Sequence, residues 1–221
     1  LETDEIAGIV ADYARAAQNA KRAGFDGVEI HGANGYLIEQ FLRDGSNQRT
    51  DHYGGSVENR TRFMREVVEA VVDAWSADRV GIRLSPNATY QGMDDTDPKA
   101  TFTEAVRQLD RYRLAFLHLI EAMDSDRTCG VELIPMSHFR ANFAGPIIVN
   151  GGFTRERAIT AICEGWADAI AFGRLYIANP DLVERFRRDG TPLNPLDEAT
   201  LYGGGAEGYT DYPTLDEIAE P

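Results

Sequence analysis

Cysteine, lysine and positive charge are all scarce in this chain. Its only cysteines, Cys129 and Cys163, fit no metal or redox spacing, which points to a reducing, cytoplasmic setting. No His/Cys/carboxylate cluster suggests a bound metal. Lys+Arg number 22 against 36 Asp+Glu, a formal charge of −14. That excess of acid argues against nucleic acid or an anionic membrane surface as partner. No stretch approaches the length of a transmembrane span, and the leading LETDEIAGIV lacks the basic-then-apolar order of a signal peptide. Low-complexity tracts are missing too, as are sequence repeats of roughly 20–50 residues.

What is present suffices for one folded body. The 221 residues, 43% hydrophobic, can bury a real core and read as a single domain, 1–221. Thr3 can cap a first helix carrying Ile6, Ile9, Val10 and Tyr13 at helical spacing, stopped by Gly24. A strand follows at 27–31, then a short helical piece around 36–41 and a polar loop through Gly55. Ser56 opens a long amphipathic helix with Met64, Val67, Val68, Val71, Val72 and Trp75 on one face. Further strands are expected at 79–84, 115–121, 146–150 and 167–172. Thr101 and Glu104 form a capping-box pattern, Thr154 starts a helix, and Pro180 suits the first position of another. Apolar strands alternating with amphipathic helices mean a parallel sheet with helices outside.

The stretch 24–56, GFDGVEIHGANGYLIEQFLRDGSNQRTDHYGGS, is where chemistry concentrates. An apolar strand ends in His31, Asn34 and Tyr36, and parallel α/β folds place their active sites at that end of the strands. The spacing of His31 and Asn34 lets both aim at one oxygen, and Tyr36 supplies a weakly acidic hydroxyl suited to protonating carbon. The plainer alternative is a capped strand end whose polar groups satisfy the backbone. HGANGY followed by SNQRTDHYGGSVENR, however, resembles the signature of the Old Yellow Enzyme family, the FMN-dependent ene reductases. That resemblance implies that His31 and Asn34 hold a substrate carbonyl and that Tyr36 donates the proton.

Elsewhere, Asn150-Gly151-Gly152-Phe153 links a strand to a helix, and Gly173-Arg174 follows the next strand. Glycines admit close backbone approach, helix-start amides attract phosphate, and an arginine adds a bidentate clamp. Two successive strand ends sharing one anion site match the phosphate position of many barrels. The resemblance implies that this region, 146–175, holds the FMN phosphate and that Arg83 lies against the flavin ring. It also implies that the tail 201–213 returns over the barrel mouth, with Tyr202 lining the substrate cavity. Tyr209 and Tyr212 read as packing anchors, His118 as a satisfied core histidine, and His52 and His138 as surface or loop residues.

The resemblance covers nearly the whole chain but only the family's fourth to eighth strands. The expected fold is therefore α/β, a (β/α)8 TIM barrel family with about the last five βα units present, and the proton-donor motif at 27–55. In the family the first three strands contribute flavin contacts, so a fragment, or a separate N-terminal polypeptide completing the barrel, is expected. The implied function is reduction of activated C=C bonds in α,β-unsaturated carbonyl or nitro compounds, with bound FMN and NADPH or NADH as hydride donor. The alternatives are a truncated, inactive or partner-dependent half of such an enzyme, and another phosphate-binding barrel enzyme. The last would want a lysine or carboxylate at the strand ends. Lys21 and Lys99 are the only lysines, and neither sits there.

Overall fold

The computed structural model describes residues 1–121, 132–202 and 205–219, so Cys129 and the tail glycines Gly203 and Gly204 lie outside the described residues. The chain divides into two compact units: residues 1–152 with 157–170, and residues 153–156 with 171–221.

The first unit is built on a five-stranded parallel sheet. Strands β1 (Val28–Gly32), β2 (Val80–Leu84), β3 (Phe116–Ile120), β4 (Ile147–Asn150) and β5 (Ala169–Ile170) lie side by side in chain order. One face carries Ile30, Ile82, Leu84, Leu117, Leu119, Ile147 and Val149, all buried. The other face differs from the continuous apolar strands expected of a parallel sheet. Glu29, His31, Arg83, His118 and Asn150 alternate onto it, and its polar groups bond to one another.

Helix α1 (Thr3–Arg22) closes as Gly24 turns to φ 90°, its N–H reaching the Lys21 carbonyl and that of Phe25 the Ala20 carbonyl. Thr3 is the first helical residue rather than the cap. The cap position is Glu2, whose N–H donates to Glu5 at 2.6 Å, while the Thr3 hydroxyl is drawn to Asp51. Helix α2 (Leu37–Leu42) follows β1. The long helix expected from Ser56 is split at Thr61 into α3 (Val57–Arg60) and α4 (Arg62–Ala74). Phe63, Met64, Val67, Val68 and Val71 of α4 are fully or almost fully buried. Phe63 meets Tyr13 of α1 edge-on and Phe41 of α2 at 4.4 Å between ring centroids. Trp75 stands at the C-cap of α4, with the Lys21 ammonium 5.9 Å over its ring.

Helix α5 (Pro98–Asp110) begins earlier than the 101–104 pattern suggests. Asp97 accepts the Ala100 N–H at 2.9 Å, and Pro98 at the first position has no N–H to satisfy. Thr101 sits inside the helix, buried, and accepts from Arg60. Helices α6 (Met136–Arg140) and α7 (Arg155–Cys163) flank β4 in sequence. In the second unit, α8 (Arg174–Ala178), α9 (Leu182–Arg187) and α10 (Leu215–Ala219) are tied by buried Arg185. It pairs with Asp181 at 2.6 Å and donates to the Pro192 and Pro213 carbonyls. Asp181 caps α9, so Pro180 lies one residue before the cap.

Candidate active site

The polar face gathers its groups in register. His31 of β1 is the lateral neighbour of Arg83 of β2, and Arg83 of His118 of β3. Arg83 Nη2 donates to Asn150 Oδ1 at 3.1 Å. Because a guanidinium can only donate, the amide oxygen faces it, and His118 Nε2, 3.0 Å from that oxygen, donates to it as well. His118 Nδ1 lies 2.8 Å from Glu29 Oε2, so both its ring nitrogens are partnered. Arg83 Nε is buried with no acceptor among the described residues. Burial lowers the Arg83 guanidinium from its ordinary value, yet so strong a base stays cationic at neutral pH. Burial, then the nearby Arg83 charge, holds the His31 imidazole below its usual range, leaving it neutral near pH 7 with one N–H to donate.

After β1 the chain makes a sharp turn through two left-handed residues, Asn34 at φ 58° and Gly35 at φ 77°. Asparagine tolerates this conformation better than most residues. The Asn34 N–H donates to Ser85 Oγ at 2.9 Å and the Gly35 N–H to Glu39 Oε2 at 2.7 Å. The turn delivers Tyr36 to the cap position of α2, 54% exposed, with its ring centroid 5.1 Å from that of His31.

At the end of β4 the backbone turns through Gly151 at φ 116° and Gly152 at φ 60°. A Cβ on Gly151 would stand 1.9 Å from the Glu121 carbonyl oxygen, so only glycine fits. In the second unit Gly173 precedes α8, and open space surrounds the place where its Cβ would be. Arg174 is largely exposed and 4.0 Å from Glu198. Phe153 is buried, whereas Tyr202 is 92% exposed. Tyr209 and Tyr212 bond to the Leu201 carbonyl and the Asp197 N–H. The structure thus brings His31, Asn34, Tyr36, Arg83 and Asn150 together in the first unit. Phe153, Gly173, Arg174 and Tyr202 belong to the second. A separate pocket lined by Asp110, Arg113, Leu114 and Phe143 lies before β3 and β4, at the other end of the strands.

The NADH:flavin oxidoreductase / NADH oxidase family matches residues 1–193. The chain belongs to this family, the Old Yellow Enzyme family. It is 50% identical over 223 residues to putative 12-oxophytodienoate reductase 6 of Oryza sativa subsp. japonica, spanning 98% of this chain and 56% of that protein. Among solved structures, morphinone reductase superposes with a TM-score of 0.91 at 48% identity, over 100% of this chain and 59% of that one. The old yellow enzyme homologue from Zymomonas mobilis gives 0.92 at 43% identity, over 97% and 61%. The chain therefore spans a little under two thirds of the relatives it matches, and its five parallel strands are part of a (β/α)8 barrel.

The donor set fits the flavin this family uses. Arg83 presents a buried Nε without an acceptor among the described residues beside the neutral His31, and the Gly151–Gly152 turn follows a strand end and precedes α7. Sequence reasoning missed three residues around the motif: Glu39, Arg43 and Ser85, each buried to within 1% of full burial. The i,i+4 spacing of Glu39 and Arg43 was a visible signal. Ser85, next to the end of β2, carried none.

Proposed function

We propose that this chain carries the substrate site and much of the FMN site of a reductase that saturates activated C=C bonds with NADPH or NADH. The observation that carries the reading is the grouping at the carboxyl ends of β1 and β2, where His31 and Arg83 are neighbours and the Tyr36 ring lies tilted beside that of His31. FMN, when bound, supplies the two-electron relay between nicotinamide and alkene. Gly151, Gly152, Gly173 and Arg174, with Asn150 and Phe153 alongside, are the residues that would hold its phosphate end, and Arg83 its ring.

The remaining work falls to side chains of the motif. Neutral His31 donates its N–H, and Asn34 its amide, to the carbonyl or nitro oxygen of the substrate. The two bonds strengthen as negative charge gathers on that oxygen. Tyr36, exposed and without a buried partner to give up, hands its phenolic proton to the α-carbon. Tyr202 forms an aromatic wall of the cavity. The substrates are small α,β-unsaturated carbonyl or nitro compounds, and the setting is cytoplasmic. No described helix is long and apolar enough to cross a membrane.

The test is reconstitution with FMN in a polypeptide carrying all eight barrel strands, followed by NADPH or NADH oxidation with and without 2-cyclohexen-1-one. A yellow protein whose oxidation of the nicotinamide depends on the enone, with cyclohexanone formed, is the expected result. A folded protein that takes up no flavin overturns the reading.

A further inference from the structure

We propose that Ser85, Glu39 and Arg43 form a buried clamp that positions Asn34 for the substrate oxygen, an inference that rests on the function proposed above. The clamp begins with the two left-handed residues of the turn, whose N–H groups both point inward. Ser85 Oγ takes the one from Asn34 and Glu39 Oε2 the one from Gly35. A hydroxyl has a single proton, and that of Ser85 goes to Glu39 Oε2 at 2.8 Å. The carboxylate therefore sets the direction of the hydroxyl and leaves its lone pair facing Asn34.

Glu39 is itself fixed through its other oxygen. Arg43 Nε and Nη2 reach Oε1 at 2.9 and 2.7 Å, and Nη2 also donates to the carbonyls of Ser85 and Ala88. The guanidinium lies 4.7 Å over the Phe102 ring. Glu39 and Ser85 are 0% exposed and Arg43 1%. An ion pair this deep is seldom worth more to stability than well-packed apolar side chains of the same volume. What apolar residues could not supply is an oriented acceptor for two adjacent turn amides. The turn stands between His31 and Tyr36, so slack in it moves Asn34 relative to both. A misplacement of about 1 Å can cost on the order of 100-fold in rate.

Ser85, Glu39 and Arg43 are thus positioning residues rather than catalytic ones. Amide hydrogen exchange on the unsubstituted protein should show Asn34 and Gly35 protected like the amides of β1. Ser85→Ala should speed exchange at Asn34 about tenfold, the loss of one hydrogen bond. In the FMN-loaded, eight-stranded protein it should weaken binding of a para-substituted phenol by a similar factor, with little change in Tm. Ser85→Thr, which keeps the hydroxyl, should restore both. The clamp is overturned if Asn34 and Gly35 exchange as freely as exposed loop amides in the unsubstituted protein, a result that does not depend on any variant folding. It is also overturned if Ser85→Ala changes neither exchange nor phenol affinity. An unsubstituted, flavin-loaded protein that binds no phenol overturns the functional reading alone, and amide exchange then still decides on the clamp.

Discussion

Replacing Gly151 with alanine separates a structural glycine from a ligand-facing one. At φ 116° an alanine is strained, which costs about 1–3 kcal/mol. Its Cβ would also sit 1.9 Å from the Glu121 carbonyl oxygen and 2.9 Å from the carbonyl carbon, both backbone atoms that no rotamer change can move aside. The Glu121 N–H donates to the Asn150 carbonyl at 2.7 Å, so opening that contact also threatens a bond worth about 0.5–1.5 kcal/mol. Together these give a destabilisation of about 2–4 kcal/mol. For a protein of this size that lowers Tm by roughly 5–15 °C. Gly173→Ala is the control, because its φ is −96° and nothing lies within 4 Å of the added methyl. Its Tm should stay within about 2 °C of the parent, as for ordinary surface changes. If both glycines hold the FMN phosphate, both variants weaken FMN binding, and only Gly151→Ala destabilises the fold. Differential scanning fluorimetry and FMN titration read the two effects. A Gly151→Ala protein melting within about 2 °C of the parent would refute the steric reasoning. An unchanged FMN affinity in Gly173→Ala would remove Gly173 from the phosphate site.

In an eight-stranded polypeptide, Tyr36→Phe should leave reduction of the flavin by NAD(P)H near normal while alkene reduction falls by roughly 100-fold or more; stopped-flow measurement of the two half-reactions separates them, and a loss confined to the first removes Tyr36 from its role. His31→Ala combined with Asn34→Ala should abolish the charge-transfer band formed with simple phenols, since a phenolate uses the same donors as the substrate oxygen; an unchanged dissociation constant sinks that assignment. A polypeptide of these 221 residues by itself should bind FMN weakly and turn over negligibly, because five strands leave unpaired sheet edges and ordering them costs about 1–2 kcal/mol per residue of backbone. Supplying a polypeptide with the family's first three strands should restore both, as isothermal titration with FMN would show; tight binding without it contradicts the reasoning.

How far the sequence spoke depended on whether a signal was local. The strand-then-helix rhythm placed β1 to β4 to within a residue or two, and the order of polar residues after β1 pointed to the candidate site. Helix ends were less legible because caps compete. The 101–104 pair has the form of a capping box, yet Asp97 with Pro98 behind it captures the start of α5 four residues earlier. Thr3 lost to Glu2 at the start of α1 in the same way. The polar face of the sheet was the larger surprise. Read along one strand, V-E-I-H-G looks like a half-exposed edge, and only the lateral order of the strands brings the side chain of Glu29 to His118 and that of Arg83 to Asn150. Such pairings span up to 89 residues of sequence, and no local pattern encodes them. His118 could be read as a satisfied core histidine, but the identities of its partners could not.

The same sheet divides stability from chemistry. Its apolar face is buried through aliphatic side chains, so a large-to-small change there, such as Leu117→Ala, leaves a cavity and costs about 2–5 kcal/mol. On the polar face the consequences depend on depth. His31 and Tyr36 are exposed, with their ring centroids 5.1 Å apart, so removing either takes no buried side chain out of the core. Asn150 is different, because its one oxygen serves both Arg83 and His118. Losing it strands two donors, and Arg83 already has a buried Nε without an acceptor among the described residues. An electron-rich ring edge is the kind of acceptor that could complete that arginine. The residues proposed to meet substrate are therefore cheap for the fold to carry. Arg83, the residue proposed to meet the flavin, is held by Asn150, whose oxygen it shares with His118.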